Sequence, residues 1–206
     1  VYSNGDLLTT TNTNIYNYVN NYHVLIGGAD GTSALQFDGL IDEVKIYPFA
    51  LTPAEIKQEY NRGAAMVLGS PRNSSSVWDD GGFGGAGPVA WWKMDEKTDN
   101  TCSGGVNDVC DTSQNSNDGA ITGATWKSAG SCHQGSCLSF DGVDDYVNAG
   151  TDSSLKPTEA ITVSAWIKAN VVSGLYDMIL GNTNGDTLTV GYSLYLNFQL
   201  LKGYAQ

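Results

Sequence analysis

The sequence predicts an all-β protein of antiparallel strands with one short helix around residues 52–61. Three observations support this. Only 16% of the 206 residues are charged, whereas Gly (25 residues), Asn, Thr and Ser are abundant, and this composition is typical of strands joined by turns. Apolar and polar residues alternate at Leu138, Ser139 and Phe140, with the period of a half-buried strand. Strong helix-start signals stand together after Tyr47.

The predicted helix begins at a recognisable cap. Thr52 is an N-cap residue, Pro53 occupies the first helical position, and Glu55 follows three residues after the cap. Ile56 and Tyr60 are four residues apart and therefore share one helix face.

A long extended segment, residues 35–47, precedes this helix. Strict alternation places two sets of side chains on opposite faces: Ile41, Glu43, Lys45 and Tyr47 on one, and Asp42, Val44 and Ile46 on the other. A glycosidase needs two carboxylates that face each other across a cleft. Because Asp42 and Glu43 are adjacent, alternation points them apart, and the sequence predicts a protein that is not an enzyme.

Three carboxylates, those of Asp141, Asp144 and Asp145, fall within five positions of an Asp-Gly turn. So much like charge in one turn is costly unless water or a cation offsets it. Carboxylate and turn carbonyl oxygens are ligands that suit Ca²⁺, so these residues are candidate metal ligands. The alternative is that they are solvated turn carboxylates.

The stretch Phe-Asp-Gly-Val-Asp-Asp-Tyr-Val at 140–147 closely resembles the strand that leads into the concanavalin A-like jelly-roll sandwiches called laminin-G-like (LamG-type) domains. Three more segments resemble the family in the same order: an opening strand at 89–96, a turn at 115–119 and a long strand at 161–168. Residues 37–56 resemble the family's last strand and closing helix, and 1–5 an earlier strand. The resemblance implies an antiparallel jelly-roll β-sandwich.

The order of these segments is inverted. Residues 1–62 resemble the C-terminal half of a LamG-like sandwich and residues 89–206 the N-terminal half, while 63–88 has the composition of a flexible linker. The chain is either a window on a tandem array or a subunit whose halves make one sandwich, by permutation or by exchange between chains. Because unpaired halves would expose long strand edges, we expect each half to pair with the other or with adjacent chains.

The resemblance also implies that the last strand lies beside the strand at 138–141. It therefore adds Asp42 and Glu43 to the predicted calcium site.

Four cysteines pair by proximity into two predicted disulfides, Cys102 with Cys110 and Cys132 with Cys137. A zinc site would have only His133 as an additional ligand, and fits less well. Disulfides indicate an oxidising compartment, so we expect a secreted, extracellular or cell-surface protein. The absence of a signal peptide and of an initial Met fits a mature or excised segment.

A formal net charge of −12 argues against nucleic acid and anionic membranes as partners. No apolar run approaches the ~20 residues of a membrane helix.

Aromatic side chains are candidate carbohydrate-binding platforms. Trp91 and Trp92 are adjacent, so one of them should face outward from a strand. Tyr16, Tyr18 and Tyr22 lie in an Asn-rich stretch that reads as an exposed loop. Ordinary packing is the alternative for each. We expect a further tryptophan, Trp166, to lie in the core.

The sequence therefore predicts a non-catalytic, calcium-stabilised extracellular LamG-like module for adhesion or carbohydrate binding, with glycans or other extracellular ligands as partners. The alternative is a structural subunit of an extracellular filament or surface layer, in which strand complementation between neighbouring copies completes the sandwich halves.

Overall fold

A computed structural model describes residues 1–9, 21–29, 35–61, 87–102, 108–171, 176–183, 191–197 and the backbone of 200–205. Tyr16, Tyr18 and nearly all of the predicted linker lie outside these residues. In chain order the elements are β1 (Tyr2–Ser3), β2 (Asp6–Leu7), β3 (Leu25–Ile26), β4 (Asp38–Tyr47), α1 (Pro53–Asn61), β5 (Ala90–Trp92), β6 (Ala120–Thr122), β7 (Thr125–Lys127), β8 (Cys137–Asp141), β9 (Tyr146–Asn148), a 3₁₀ turn (Ser153–Leu155), β10 (Thr162–Val171), β11 (Asp177–Asn182), β12 (Tyr192–Asn197) and β13 (Leu200–Ala205).

Two antiparallel sheets form a β-sandwich. The first has six strands in the order β13-β12-β11-β3-β9-β6. In the second, of five strands, β10 pairs with one edge of β4, while β8 and β5 share the other edge and β7 pairs with β8. β1 and β2 form a separate hairpin. The prediction of an all-β antiparallel sandwich with one helix is confirmed.

Strands from the first 61 residues lie inside both sheets. β4 lies between β10 and β8, and β3 lies between β11 and β9. In this structure the two segments of the chain therefore pair with each other and share one core. Removing residues 1–61 would expose the inner edges of five strands, β5, β8, β9, β10 and β11.

The core fills the space between the two sheets with fully buried apolar side chains. Its largest members are Ile26, Phe37, Ile41, Ile46, Trp92, Met94, Leu138, Phe140, Leu155 and Ile179. Each such burial stabilises the fold by about 1.5–3 kcal/mol. Gly27 follows β3 with φ +83°, and a Cβ there would overlap the ring of Phe140, so both backbone and packing require glycine.

A bulge interrupts β4 and changes which side chains share a face. Glu43 has φ +51°, and β4 uses one residue more than β10 between the pairs Lys45–Ser164 and Asp42–Trp166. The predicted alternation is therefore wrong here. Ile41, Val44 and Ile46 all point into the core. Asp42 and Glu43 both lie on the outer face, because Asp42 is opposite outward-facing Trp166 and Glu43 contacts outward-facing Lys45.

The helix α1 begins with the predicted capping box. The Thr52 N–H donates to Glu55 Oε2 at 2.7 Å, and the Glu55 N–H donates to Thr52 Oγ1 at 3.3 Å. The helix packs on the outer face of the five-stranded sheet, where Glu59 pairs with Lys45 of β4. No helix in the part of the chain that the structure describes has the length and hydrophobicity to span a bilayer.

Both predicted disulfides are confirmed, and no cysteine is free. Cys102 and Cys110 have Cα atoms 5.2 Å apart, and those of Cys132 and Cys137 are 5.5 Å apart. The second disulfide closes a short loop immediately before β8.

Candidate metal and ligand sites

The acidic turn, which we define as residues 141–145, connects β8 to β9. Gly142 has φ +77°, which lets the chain reverse directly after Asp141. Asp141 Oδ1 accepts a hydrogen bond from the Val143 N–H at 2.8 Å, and Asp145 Oδ2 accepts one from the Asp141 N–H at 2.8 Å. The turn is thus held by its own carboxylates, which brings ligand oxygens of Asp141, Asp144 and Asp145 within 4.8 Å of one another.

The geometry of the acidic turn fits a calcium ion. Because Ca²⁺ lies about 2.3–2.6 Å from its ligands, two oxygens on opposite sides of one ion are roughly 5 Å apart. Asp141 and Asp144 are exposed, whereas Asp145 is 6% exposed. Burial raises the pKa of Asp145, the charges of Asp141 and Asp144 raise it further, and the bond from the Asp141 N–H opposes both effects. A divalent cation would offset this repulsion.

Asp38 is a neighbour of the acidic turn that sequence reasoning missed. It lies directly opposite Asp141 in the β4–β8 pairing, and its Oδ1 accepts a hydrogen bond from Asn170 Nδ2 at 2.9 Å. The tripeptide Phe-Asp-Gly occurs at both 37–39 and 140–142, and the structure pairs the two copies. This repeated tripeptide is the sequence feature that could have indicated that Asp38 lies beside the acidic turn.

Asp42 and Glu43 lie away from the acidic turn. The pairing that places Asp38 opposite Asp141 places Ile41 opposite Leu138, so Asp42 lies near the Cys132–Cys137 loop. Asp42 Oδ2 accepts a hydrogen bond from the Gln134 N–H at 3.0 Å, and Glu43 Oε2 accepts one from Trp91 Nε1–H at 2.7 Å. The five predicted calcium ligands therefore form two separate groups.

The second group lies at the β4 bulge, between the part of β4 that pairs with β8 and the part that pairs with β5. We call Asp42, Glu43 and the neighbouring Asp95 the acidic fork. Asp42 and Asp95 both hold the disulfide loop, since Asp95 Oδ1 accepts a hydrogen bond from the Ser136 N–H at 2.7 Å. Asp42 is 3% exposed, and its Oδ1 has no hydrogen-bond partner among the described residues. Burial, then the charges of Glu43 and Asp95, raise the pKa of Asp42 to about 6 against the opposing bond from Gln134. An unsatisfied buried carboxylate oxygen fits a cation.

The adjacent tryptophans face opposite ways. Trp92 is fully buried and donates its indole N–H to the Asn117 carbonyl at 2.7 Å, so it offers no surface for a ligand. Trp91 is the outward member of the pair. Lys45 Nζ and Lys93 Nζ lie 4.4 and 4.3 Å from its ring centroid, so ammonium groups cover the ring that a sugar would use.

A more accessible aromatic group lies elsewhere on the outer face. Trp166 stacks with Tyr60, with ring centroids 5.3 Å apart, and with His133, with centroids 3.5 Å apart. His133 is exposed and Tyr60 is 37% exposed. The expected core position of Trp166 is wrong, because the inward side chains of β10 are its odd-numbered residues. We call Tyr60, His133 and Trp166 the aromatic stack; no local pattern could have joined a helix, a loop and a strand.

Tyr22, the remaining described tyrosine of the predicted loop, is half-buried ahead of β3. Its carbonyl accepts a hydrogen bond from Asn182 Nδ2 at 2.7 Å. It lies on the six-stranded sheet, away from the aromatic stack.

A further acidic region has a structural role. Asp111 accepts hydrogen bonds from the Trp91, Ser113 and Asn117 N–H groups and from the Ser113 hydroxyl. Glu96 Oε1 accepts one from the Cys110 N–H at 3.1 Å, and burial is the first cause of its raised pKa. Asp111 therefore holds the turn at 111–119, and Glu96 holds the backbone of Cys110 next to it, while Glu96 Oε2 has no hydrogen-bond partner among the described residues.

Comparison with known families supports the resemblance over part of the chain. Residues 1–57 match the family Laminin_G_3, described as the concanavalin A-like lectin/glucanases superfamily. No curated protein and no solved structure gives a significant match. Residues 1–57 are therefore similar to the concanavalin A-like lectin/glucanase superfamily, and the chain has the antiparallel β-sandwich that this superfamily shares.

Proposed function

We propose that this protein is a non-catalytic extracellular module that binds carbohydrate, or a comparable extracellular ligand, in adhesion, and that Ca²⁺ stabilises it. One observation carries the proposal. The segment similar to the lectin/glucanase superfamily supplies β3 and β4, which lie inside both sheets of the sandwich. The two disulfides fit an oxidising compartment.

The aromatic stack is the proposed ligand surface. Sugars pack their apolar faces against aromatic rings, and neighbouring polar groups bond to their hydroxyls. Next to His133, Gln134 is exposed and offers an amide, and exposed Asp95 offers a carboxylate. Trp91 is a less suitable platform, since a ligand would first have to displace Lys93 from its ring.

Calcium has two proposed positions. The acidic turn offers three carboxylates around one point, and the acidic fork offers the unpaired oxygen of buried Asp42. Bound there, Ca²⁺ would supply positive charge and order the connection between strands; the carboxylates of this chain would hold it.

The proposal that the protein is not an enzyme rests on the burial and hydrogen bonding of the adjacent carboxylates of Asp42 and Glu43. Asp42 and Glu43 share the outer face, contrary to the sequence prediction, but they are only 3% and 8% exposed. Each carboxylate already accepts a hydrogen bond from a loop N–H or an indole N–H. Neither has the open position that a general acid or nucleophile needs beside a glycosidic bond.

The alternative function, a filament subunit completed by neighbouring chains, has weaker support. β3 and β4 already fill the interior positions of both sheets within one chain. Exchange between chains would have to replace pairs that the single chain makes for itself.

A glycan array followed by calorimetric titration of the best glycan tests the binding function. We expect His133→Ala and Tyr60→Ala each to weaken binding by roughly fivefold to tenfold, the equivalent of about 1 kcal/mol for an aromatic contact. Tyr22→Ala is the matched control and should bind as the wild type does. If Tyr22→Ala weakens binding and the other two variants do not, the ligand surface lies near β3. Absence of binding to any glycan would contradict the carbohydrate proposal.

A further inference from the structure

The loop that the second disulfide closes, residues 132–137, contributes one ring to the aromatic stack. Cys137 is the first residue of β8 and is fully buried, whereas Cys132 is half-buried and lies five positions earlier in the chain. His133 directly follows Cys132, and its imidazole stacks on the indole of Trp166 with ring planes 9° apart. The disulfide therefore limits how far His133 can move away from β8, and with it how far it can move away from Trp166.

The middle of the same loop rests on two carboxylates of like charge. The Gln134 N–H donates to Asp42 Oδ2 at 3.0 Å, and the Ser136 N–H donates to Asp95 Oδ1 at 2.7 Å. Asp42 is 3% exposed, so its charge is kept from water. Opening the loop would let water reach this carboxylate, which offsets part of the free energy of the two hydrogen bonds that the loop would lose. These bonds alone therefore hold the loop weakly.

Reduction of the disulfide would remove the covalent restraint on the loop. A thiolate of a dithiol reductant would attack Cys132 Sγ, because the Cys137 side chain is fully buried. The S–S bond breaks, Cys137 leaves as a thiolate and takes up a proton, and a mixed disulfide joins Cys132 to the reductant. The second thiol of the reductant then displaces Cys132, so the protein gains two electrons and two protons while the reductant becomes a disulfide.

We propose that the Cys132–Cys137 disulfide is a redox switch for the aromatic stack. In the oxidised protein it holds the imidazole of His133 on the indole of Trp166. In the reduced protein the loop opens and the imidazole leaves, so the stack keeps only Tyr60 and Trp166. The effect on ligand binding rests on the proposed function of the aromatic stack, whereas the movement of His133 does not.

The other disulfide provides an internal control. The Cys110 N–H donates to Glu96 Oε1, and the preceding residue, Val109, forms a β-bridge with Gly119. These contacts belong to the region around the turn at 111–119 and not to the aromatic stack. Reduction of the Cys102–Cys110 disulfide should therefore leave His133 in place.

NMR spectroscopy of the complete chain in EGTA tests the switch without any ligand. With ring centroids 3.5 Å apart, the imidazole C–H protons of His133 lie in the ring current of the indole and should resonate upfield of those of a solvated histidine. His133→Ala assigns these resonances. We expect excess dithiothreitol to abolish the upfield shift and reoxidation to restore it. An unchanged shift after mass spectrometry has shown two free thiols at Cys132 and Cys137 would overturn the proposal, as would a disulfide that resists dithiothreitol in the folded protein.

Two double variants separate the two disulfides. Cys132→Ala with Cys137→Ala should lack the upfield shift with or without dithiothreitol. Cys102→Ala with Cys110→Ala should keep the shift and lose it on reduction, because Cys132–Cys137 is then the only disulfide that the four cysteines can still form. If the first variant fails to fold, the second still decides. A second variant that keeps the shift in dithiothreitol would assign the response to the wrong disulfide and overturn the switch.

Titration of the best glycan from the array tests the consequence for binding. We expect dithiothreitol to weaken binding roughly fivefold to tenfold, as His133→Ala does, and to weaken the His133→Ala variant no further. Loss of the upfield shift without loss of affinity would support the movement of His133 and contradict the aromatic stack as the ligand surface. The failure of the switch and the failure of the proposed function are thus distinguishable.

Discussion

The acidic turn and the acidic fork use the same residue type in opposite surroundings. At the turn, Asp141 and Asp144 are exposed, and Asp141 bonds to the backbone of the turn itself. At the fork, Asp42 is 3% exposed and bonds to the backbone of a loop that is distant in sequence. Water can therefore screen charge at the turn but not at Asp42.

Because of this difference, the two regions differ in the free energy needed to keep their carboxylates ionised and in what they gain from binding a cation. Exposed carboxylates cost the folded state little free energy when they are ionised, and they stabilise it little unless a cation binds. A buried carboxylate with one unpaired oxygen costs free energy whenever it is ionised. Local acidity in a sequence therefore says little about stability until burial is known.

Adding calcium should give the largest effect and should separate the two regions. At a concentration about a hundredfold above its dissociation constant, Ca²⁺ should raise the free energy of unfolding by about 2.7 kcal/mol, measured by thermal unfolding against EGTA. If the ion occupies the turn, Asp144→Asn should remove most of this gain while changing stability in EGTA by less than ~0.5 kcal/mol.

Two further variants complete the calcium experiment. Asp152→Asn removes the charge of an exposed Asp that lies outside both regions, and it should keep the full gain. If Asp42→Asn instead of Asp144→Asn abolishes the gain, the ion occupies the fork. A protein equally stable in Ca²⁺ and EGTA would contradict the proposed calcium stabilisation.

The pH dependence of Asp42 should be the next largest effect. Its pKa is raised from 3.8 to about 6 in the folded protein, so the folded state binds this proton more tightly than the unfolded state. Its contribution to stability is therefore fully present below about pH 4 and is lost as pH rises through about 6, a loss on the order of 2 kcal/mol.

Asp42→Asn should remove this pH dependence, because the amide stays neutral and can still accept from Gln134. Chemical unfolding of both proteins in EGTA between pH 4 and 7 measures the difference between them. We expect the variant to gain relative to the wild type as pH rises. A constant difference across this range would show that the Asp42 carboxyl titrates alike in the folded and unfolded states.

Glycine substitutions should have the smallest effect on stability, and they test how closely the acidic turn packs against Asp38. Gly142 and Gly150 have φ +77° and +81°, so alanine is strained at both, by about 1 kcal/mol. An added Cβ at Gly142 would lie 2.9 Å from Asp38 Cβ, whereas at Gly150 it meets nothing within 4 Å. Urea unfolding should therefore show a greater loss for Gly142→Ala than for Gly150→Ala. Equal losses of stability would mean that the backbone of the acidic turn can shift away from Asp38 at no measurable cost in free energy.

Features with local causes were predictable from the sequence. The capping box at Thr52 and Glu55 needs only residues three apart, and the helix begins where it predicts. The short spacing of each cysteine pair is enough to indicate its disulfide. The close approach of Asp141, Asp144 and Asp145 also follows from a single Asp-Gly turn.

Features that depend on strand register were not predictable. Period-two alternation failed in β4 because the bulge at Glu43 inserts one residue, and nothing in the local sequence marks it. The alternation in β10 does not tell which face Trp166 occupies, and only the packing of Ala165 and Ile167 against the core places it outside.

The sequence by itself determined the class of structure: antiparallel strands, their turns, one capped helix and two short disulfides, because these depend on neighbours along the chain. Only the tertiary structure decided that β3 and β4 lie inside the sheets, that Asp42 parts from the acidic turn, and that Tyr60, His133 and Trp166 meet. Each of these depends on which strands pair and in what register, and the packing of the whole sandwich sets that register.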